Sequence, residues 1–161
     1  MKKLWGILFG LMLLVGCEGL DCTINNVVTL NVGFYSSETG GTYSITDTLN
    51  VTAEGTDSVL YNRGIRITYV KLPMSYWQKA DTLHFNFYNP ETDVANDVTL
   101  RIDKTNTQHF ESPDCPSSMF HEITAVEFEC TTGYVDSVII ANTKVNYESS
   151  ENIKIYLHTA D

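Results

Sequence analysis

From Val28 onward, hydrophobic and polar residues alternate in short runs separated by Gly, Pro, Asn and Asp. Val28, Leu30, Val32 and Phe34 interleave with Thr29, Asn31 and Gly33, and this period of two predicts a half-buried strand. Glu38-Thr39-Gly40-Gly41 predicts a turn, because Gly accepts positive φ. Leu49, Val51 and Ala53 alternate in the next strand, which Glu54-Gly55 ends. Val59 to Tyr61 reads as a short strand and Asn62-Arg63-Gly64 as the turn after it. Ile65, Ile67 and Tyr69 share one face of a further strand, which Pro73 ends because it lacks the ladder N–H. Leu83, Phe85 and Phe87 alternate with His84, Asn86 and Tyr88. A loop from Asn89-Pro90 to Asp97 joins them to Val98, Leu100 and Ile102. Phe120 to Phe128 reads as a strand, although Phe120, Ile123 and Val126 also fit a short helix. Val135 to Ala141 is almost continuously apolar, as a buried strand is. Ile153, Ile155 and Leu157 form the last strand, with Lys154, Tyr156 and His158 facing out.

About nine short strands with regular turn signals predict an all-β fold. The expected architecture is an antiparallel β-sandwich, immunoglobulin-like or jelly-roll-like, forming a single domain over residues 27–161. A small barrel is the alternative, since strand period alone does not separate the two.

The first residues follow a different pattern. Lys2 and Lys3 precede an apolar run from Leu4 to Val15, the length of a signal-peptide core. A spanning helix needs about 20 apolar residues, and Glu18 and Asp21 close this run too early. Leu14-Val15-Gly16-Cys17 resembles the lipobox of bacterial lipoproteins. That resemblance implies a signal peptide over residues 1–16, lipidation of Cys17, and a polar tether over residues 17–26. The expected location is the cell envelope, with the membrane, most readily the outer one, as a partner through the N-terminal lipid.

The formal charge of −10 opposes binding to nucleic-acid phosphates, which needs Lys and Arg, and nucleic acid is not an expected partner. His84, His109, His121 and His158 have no metal-type partner at short spacing. Asp93, Asn96 and Asp97 do not follow a calcium-loop template and read as a solvated acidic loop. No phosphate loop or nucleophile elbow occurs, so no catalytic residue, metal or cofactor is assigned. Tyr76 and Trp77 are adjacent aromatics in a loop, either a stacking platform for a sugar or partner protein or a cap on the sandwich. Two functions follow: an anchored, non-catalytic binding or structural module with an envelope protein or glycan as partner, or a hydrolase working through carboxylates that sequence does not reveal.

Several short pieces together resemble small uncharacterised lipoproteins of Bacteroidetes-type bacteria: Cys17 with Asp21-Cys22, Leu30 to Tyr35, Asp57 to Leu60, Lys71 to Met74, and Phe110 to Cys115. The resemblance implies an envelope location and a β-domain without an assigned activity. Of the four cysteines, lipidation of Cys17 would leave Cys22, Cys115 and Cys130, with three possible pairings. The resemblance points to Cys22 with Cys115, and Cys115 with Cys130 is the rival. Asp followed by Ser or Thr and an apolar residue resembles the O-glycosylation signal of envelope proteins in such bacteria. It occurs at Asp47-Thr48-Leu49, Asp57-Ser58-Val59, Asp81-Thr82-Leu83 and Asp136-Ser137-Val138. Thr48, Ser58 and Thr82 are the candidate hydroxyls. The same triplets would also arise wherever a turn becomes a strand.

Overall fold

The computed structural model describes residues 28–158 except 57, 114 and 149. The boundaries expected at residues 16 and 26, with Cys17 and Cys22, lie outside the described residues. Ten strands and no helix occur among the described residues: β1 (Leu30–Ser36), β2 (Thr48–Ala53), β3 (Val59–Gly64), β4 (Tyr69–Leu72), β5 (Ala80–Asn89), β6 (Val94–His109), β7 (Ser118–Cys130), β8 (Val135–Ile140), β9 (Lys144–Val145) and β10 (Ile153–Leu157). They form two sheets, β4-β1-β10-β8 and β3-β2-β5-β6-β7-β9. The sheets face one another, so the fold is the all-β sandwich that alternation predicts. One pairing departs from the antiparallel rule: β1 and β10, the first and last strands, run parallel. No hairpin links strands so far apart in sequence, so nothing local imposes the antiparallel sense.

The inner faces carry the alternating apolar residues. Leu30, Val32 and Phe34 meet Leu83, Phe85 and Phe87 across the gap, with Leu49, Val51, Leu100, Ile102, Ile153 and Ile155 around them, all at most 2% exposed. Phe34 packs edge-on to Phe87 with ring centroids 6.1 Å apart, which ties the two sheets together. Burial of each such side chain contributes about 1.5–3 kcal/mol against the cost of ordering the chain.

Four strand expectations need correction. The chain does not turn at Asn62-Arg63-Gly64. β3 continues to Gly64, and the register against β2 slips by a residue there. Arg63 takes φ +53°, so the turn residues make a bulge. The expected strand from Ile65 is broken at Arg66, also at φ +53°. As a result Ile65 is exposed, and in β4 Val70 and Leu72 face the core while Tyr69 faces out. The loop expected up to Asp97 is shorter, because Val94 to Asp97 already pair with Asn86 to Asn89. Finally, β8 is an edge strand, with Val138 and Ile140 packed on the core and Ile139 49% exposed. An apolar run therefore marks a strand without marking a central one.

β6 and β7 make the longest pairing, with a register shift between Asp103 and Lys104 that leaves Thr124 as the extra residue. Beyond that bulge polar residues join Ile123 on the inner faces of the two strands. Lys104 and Asn106 of β6 lie opposite Ile123 and His121 of β7.

Candidate functional site

The inward face of β6 reads Val98, Leu100, Ile102 and then Lys104, all buried. β5 starts its inward face with Asp81 before Leu83, Phe85 and Phe87. Strand alternation thus places an ammonium and a carboxylate inside the end of the sandwich. The Lys104 side chain is fully buried and that of Asp81 is 8% exposed, with 3.5 Å between Nζ and Oδ2. Removing both charges from water is costly, and the cost is offset here by further hydrogen bonds. Lys104 Nζ donates to the Ser75 carbonyl and to Asn106 Oδ1 at 3.0 Å. Asp81 accepts from the Ser75 hydroxyl and from the Ser75 N–H at 3.3 Å.

His121 completes the cluster from β7. Its Nδ1 lies 2.8 Å from Asn106 Oδ1. Asn106 Nδ2 donates to the Gln78 carbonyl at 2.9 Å, which fixes the amide and assigns the proton to His121 Nδ1. Burial first, and then the Lys104 charge, push His121 down to about 4, with Asp81 opposing. At neutral pH the imidazole is therefore uncharged. Burial also holds Lys104 below its ordinary value, while Asp81 acts in the opposite sense.

Most of these bonds converge on one segment, the loop between β4 and β5. Its backbone is held at Ser75, Gln78 and Lys79, the last through Lys104 N–H to the Lys79 carbonyl at 2.8 Å. Tyr76 and Trp77, the residues between those anchors, point outward at 55% and 80% exposure. They do not cap the sandwich. They wall an open groove of about 520 Å³ that Lys79, Asn106, Gln108 and Met119 help to line, and no carboxylate lines it. A groove of this size falls in the range of small-ligand sites. It offers two aromatic faces, the Asn106 and Gln108 amides and the Lys79 ammonium, with the buried Lys104 behind them.

The other candidate residues are dispersed. Thr48 and Thr82 are half-buried within β2 and β5, whereas Ser58 is exposed just before β3. Asp81 of the third triplet belongs to the buried cluster. Cys130 is a free thiol, which excludes its pairing with Cys115. Cys115 is disulfide-bonded, and its partner is not among the described residues. Asp93 and Asp97 are used in the β5–β6 hairpin, accepting from Tyr88 Oη at 3.0 Å and Asn86 Nδ2 at 2.7 Å. No group of three or more His, Cys, Asp or Glu side chains suited to a metal ion occurs among the described residues. His84 contacts Thr99, His109 contacts Glu111 and stacks on Phe120, and His158 faces Glu38 and Asp136. Sequence reasoning found Tyr76 and Trp77 and missed Asp81, Lys104 and His121. The signal for the first two was present as charged residues in inward register with a strand's apolar face.

The fold and the cluster define a β-sandwich domain with a rigidly mounted surface loop. A family model matches residues 48–157, and the chain belongs to that family, described as a family of unknown function (DUF6452). No curated protein and no solved structure matches the chain.

Proposed function

We propose that the protein is a lipid-anchored component of the cell envelope whose β-sandwich is a non-catalytic binding module, with Tyr76 and Trp77 as its contact for an envelope glycan. One observation carries this reading: a buried ion pair, with Asn106, makes several hydrogen bonds to a loop whose two aromatic rings face water. Fixing such rings before binding lowers the entropy cost of stacking. A sugar ring would lie on the indole, with the Gln108 amide and the Lys79 ammonium on the groove wall for its hydroxyls. Glycoside hydrolysis needs two carboxylates flanking the bond, and the groove lining supplies none, which favours binding over hydrolysis.

Anchoring follows from Leu14-Val15-Gly16-Cys17, with lipid on Cys17 and an outer-membrane location. In the same reading Cys22 is the partner of Cys115. It would close a loop of about 90 residues, worth about 4 kcal/mol in the chain-entropy model. Of the candidate glycosylated hydroxyls, Ser58 is the most accessible.

Cleavage before Cys17 would remove Trp5 and leave Trp77 as the sole tryptophan. Its emission should shift to the blue and saturate when processed protein is titrated with purified envelope polysaccharide. Emission that stays unchanged with polysaccharide and peptidoglycan fragments alike would refute the glycan assignment.

A further inference from the structure

The outer face of the four-stranded sheet, away from the Tyr76–Trp77 loop, carries a second groove. Its centre is Gly33 in β1, paired with Tyr69 on one side and Lys154 on the other. A Cβ at Gly33 would fall 1.9 Å from Glu151 Oε2, so the carboxylate lies directly over the glycine and a larger residue would have to push it aside. Beside the covered glycine lies an opening of about 400 Å³ walled by Tyr35 and Tyr69, with Thr42, Thr68 and Lys71 at its rim. Tyr69 is 59% exposed.

The Glu151 carboxylate in this groove is already matched. Tyr35 Oη lies 3.0 Å from both oxygens of Glu151, and Lys154 Nζ lies 3.6 Å from Oε1. Lys154 also sits 4.7 Å from the centre of the Tyr35 ring. The face therefore offers hydrogen-bonding capacity, with Lys71 at the rim standing outside that set. One acceptor is left over. Asn31 also lines the groove, is only 6% exposed, and donates through Nδ2 to the Ser150 carbonyl at 2.9 Å. That bond fixes the amide, and its buried Oδ1 has no partner. An unsatisfied buried acceptor is costly, and a donor supplied from outside would remove the cost.

We propose that the Gly33 groove is a second binding site, for a neutral, hydroxyl-rich ligand of one or two sugar rings. The apolar faces of the rings pack on Tyr69 and Tyr35. One hydroxyl donates to Asn31 Oδ1, and others pair with Glu151 and the two threonines. Reaching Oδ1 displaces Lys71, the long exposed side chain opposite Asn31 in the β1–β4 register. Because Glu151 is held by Tyr35 and Lys154, a cation would have to break existing pairs, and an anion has no proton to donate to Asn31 Oδ1, which favours the neutral hydroxyl class. This site does not depend on the role of Trp77.

The test is saturation-transfer NMR on the full-length processed protein in a detergent without a sugar headgroup, with glucose, galactose, mannose, N-acetylglucosamine, cellobiose and chitobiose as probes. At least one probe should bind, and Tyr69→Ala should weaken it by about tenfold or more, an effect in the range of a lost aromatic contact. Glu151→Gln should weaken the same probe, and Val59→Ala, an exposed change in β3 of the other sheet that lines neither groove, should leave its affinity within about twofold. Tyr69 is exposed, so its variant keeps the fold, and unchanged circular dichroism verifies that. Absence of binding by every probe, binding that survives Tyr69→Ala, or binding that disappears with Val59→Ala would each overturn the proposal. A silent Trp77 together with Tyr69-dependent binding would reject the loop assignment while leaving this one standing.

Discussion

Acidification from pH 8 to pH 5 should destabilise the fold through His121. The imidazole is buried beside Lys104 and titrates at about 4 in the folded protein, against an ordinary value of 6.5. Between those values the unfolded chain holds a proton that the folded chain refuses, so stability is fully present above 6.5 and drains away as the pH falls toward 4. The full displacement is worth about 3 kcal/mol, and by pH 5 about 2 kcal/mol of it is lost. For a domain of this length that corresponds to a drop of about 6 °C in midpoint. Denaturant unfolding followed by far-ultraviolet circular dichroism at both pH values measures it. The control is His121→Gln, which keeps a neutral amide donor toward Asn106 and removes the titration. Carboxylates titrate in both proteins, so the difference between the two pH dependences isolates the histidine. Identical losses in wild type and His121→Gln would show that His121 is not held neutral by burial, and the packing described for it would be wrong.

Lys104→Met should cost about 3–5 kcal/mol by stranding a buried Asp81 carboxylate, and the double variant with Asp81→Asn should recover much of that in urea unfolding. Cys17→Ala should leave the protein unprocessed or soluble, and unchanged membrane partition would reject the anchor. Non-reducing peptide mapping should join Cys22 to Cys115 and leave Cys130 alkylatable; a Cys115 peptide linked to any other cysteine would reject that pairing. Intact-mass analysis of protein from its native host should show a glycan on Thr48, Ser58 or Thr82, and a mass equal to the lipidated polypeptide alone would reject it.

Alternation alone located the strands that meet in the core. Leu83, Phe85 and Phe87, or Ile153, Ile155 and Leu157, have one wet and one dry neighbour at every step, so period two survives in the sequence. It failed where backbone conformation decided the outcome. Arg63 and Arg66 take positive φ without being glycine, and no residue type announced the bulge or the break that they make. It also failed where burial came from somewhere other than the core. β1 was read as half-buried, yet Asn31 and Gly33 on its outer face are covered, by the Ser150–Asn152 segment and by Glu151. The two-residue β9 was too short to carry any period. At the loop, Tyr76 and Trp77 were legible because adjacent aromatics outside a strand are conspicuous. Their anchoring was not, since Asp81, Lys104 and His121 converge only after β5, β6 and β7 have paired.

The most direct test of a preorganised binding loop needs no ligand. Backbone ¹⁵N relaxation should give Tyr76, Trp77 and Gln78 order parameters near 0.85, equal to those of β5 and β6, because the segment is bonded to buried groups at Ser75 and Lys79 and to the half-buried Asn106 at Gln78. Values below about 0.6 at Tyr76 and Trp77 would mean a freely moving loop and would contradict the assignment of the buried cluster as its mount.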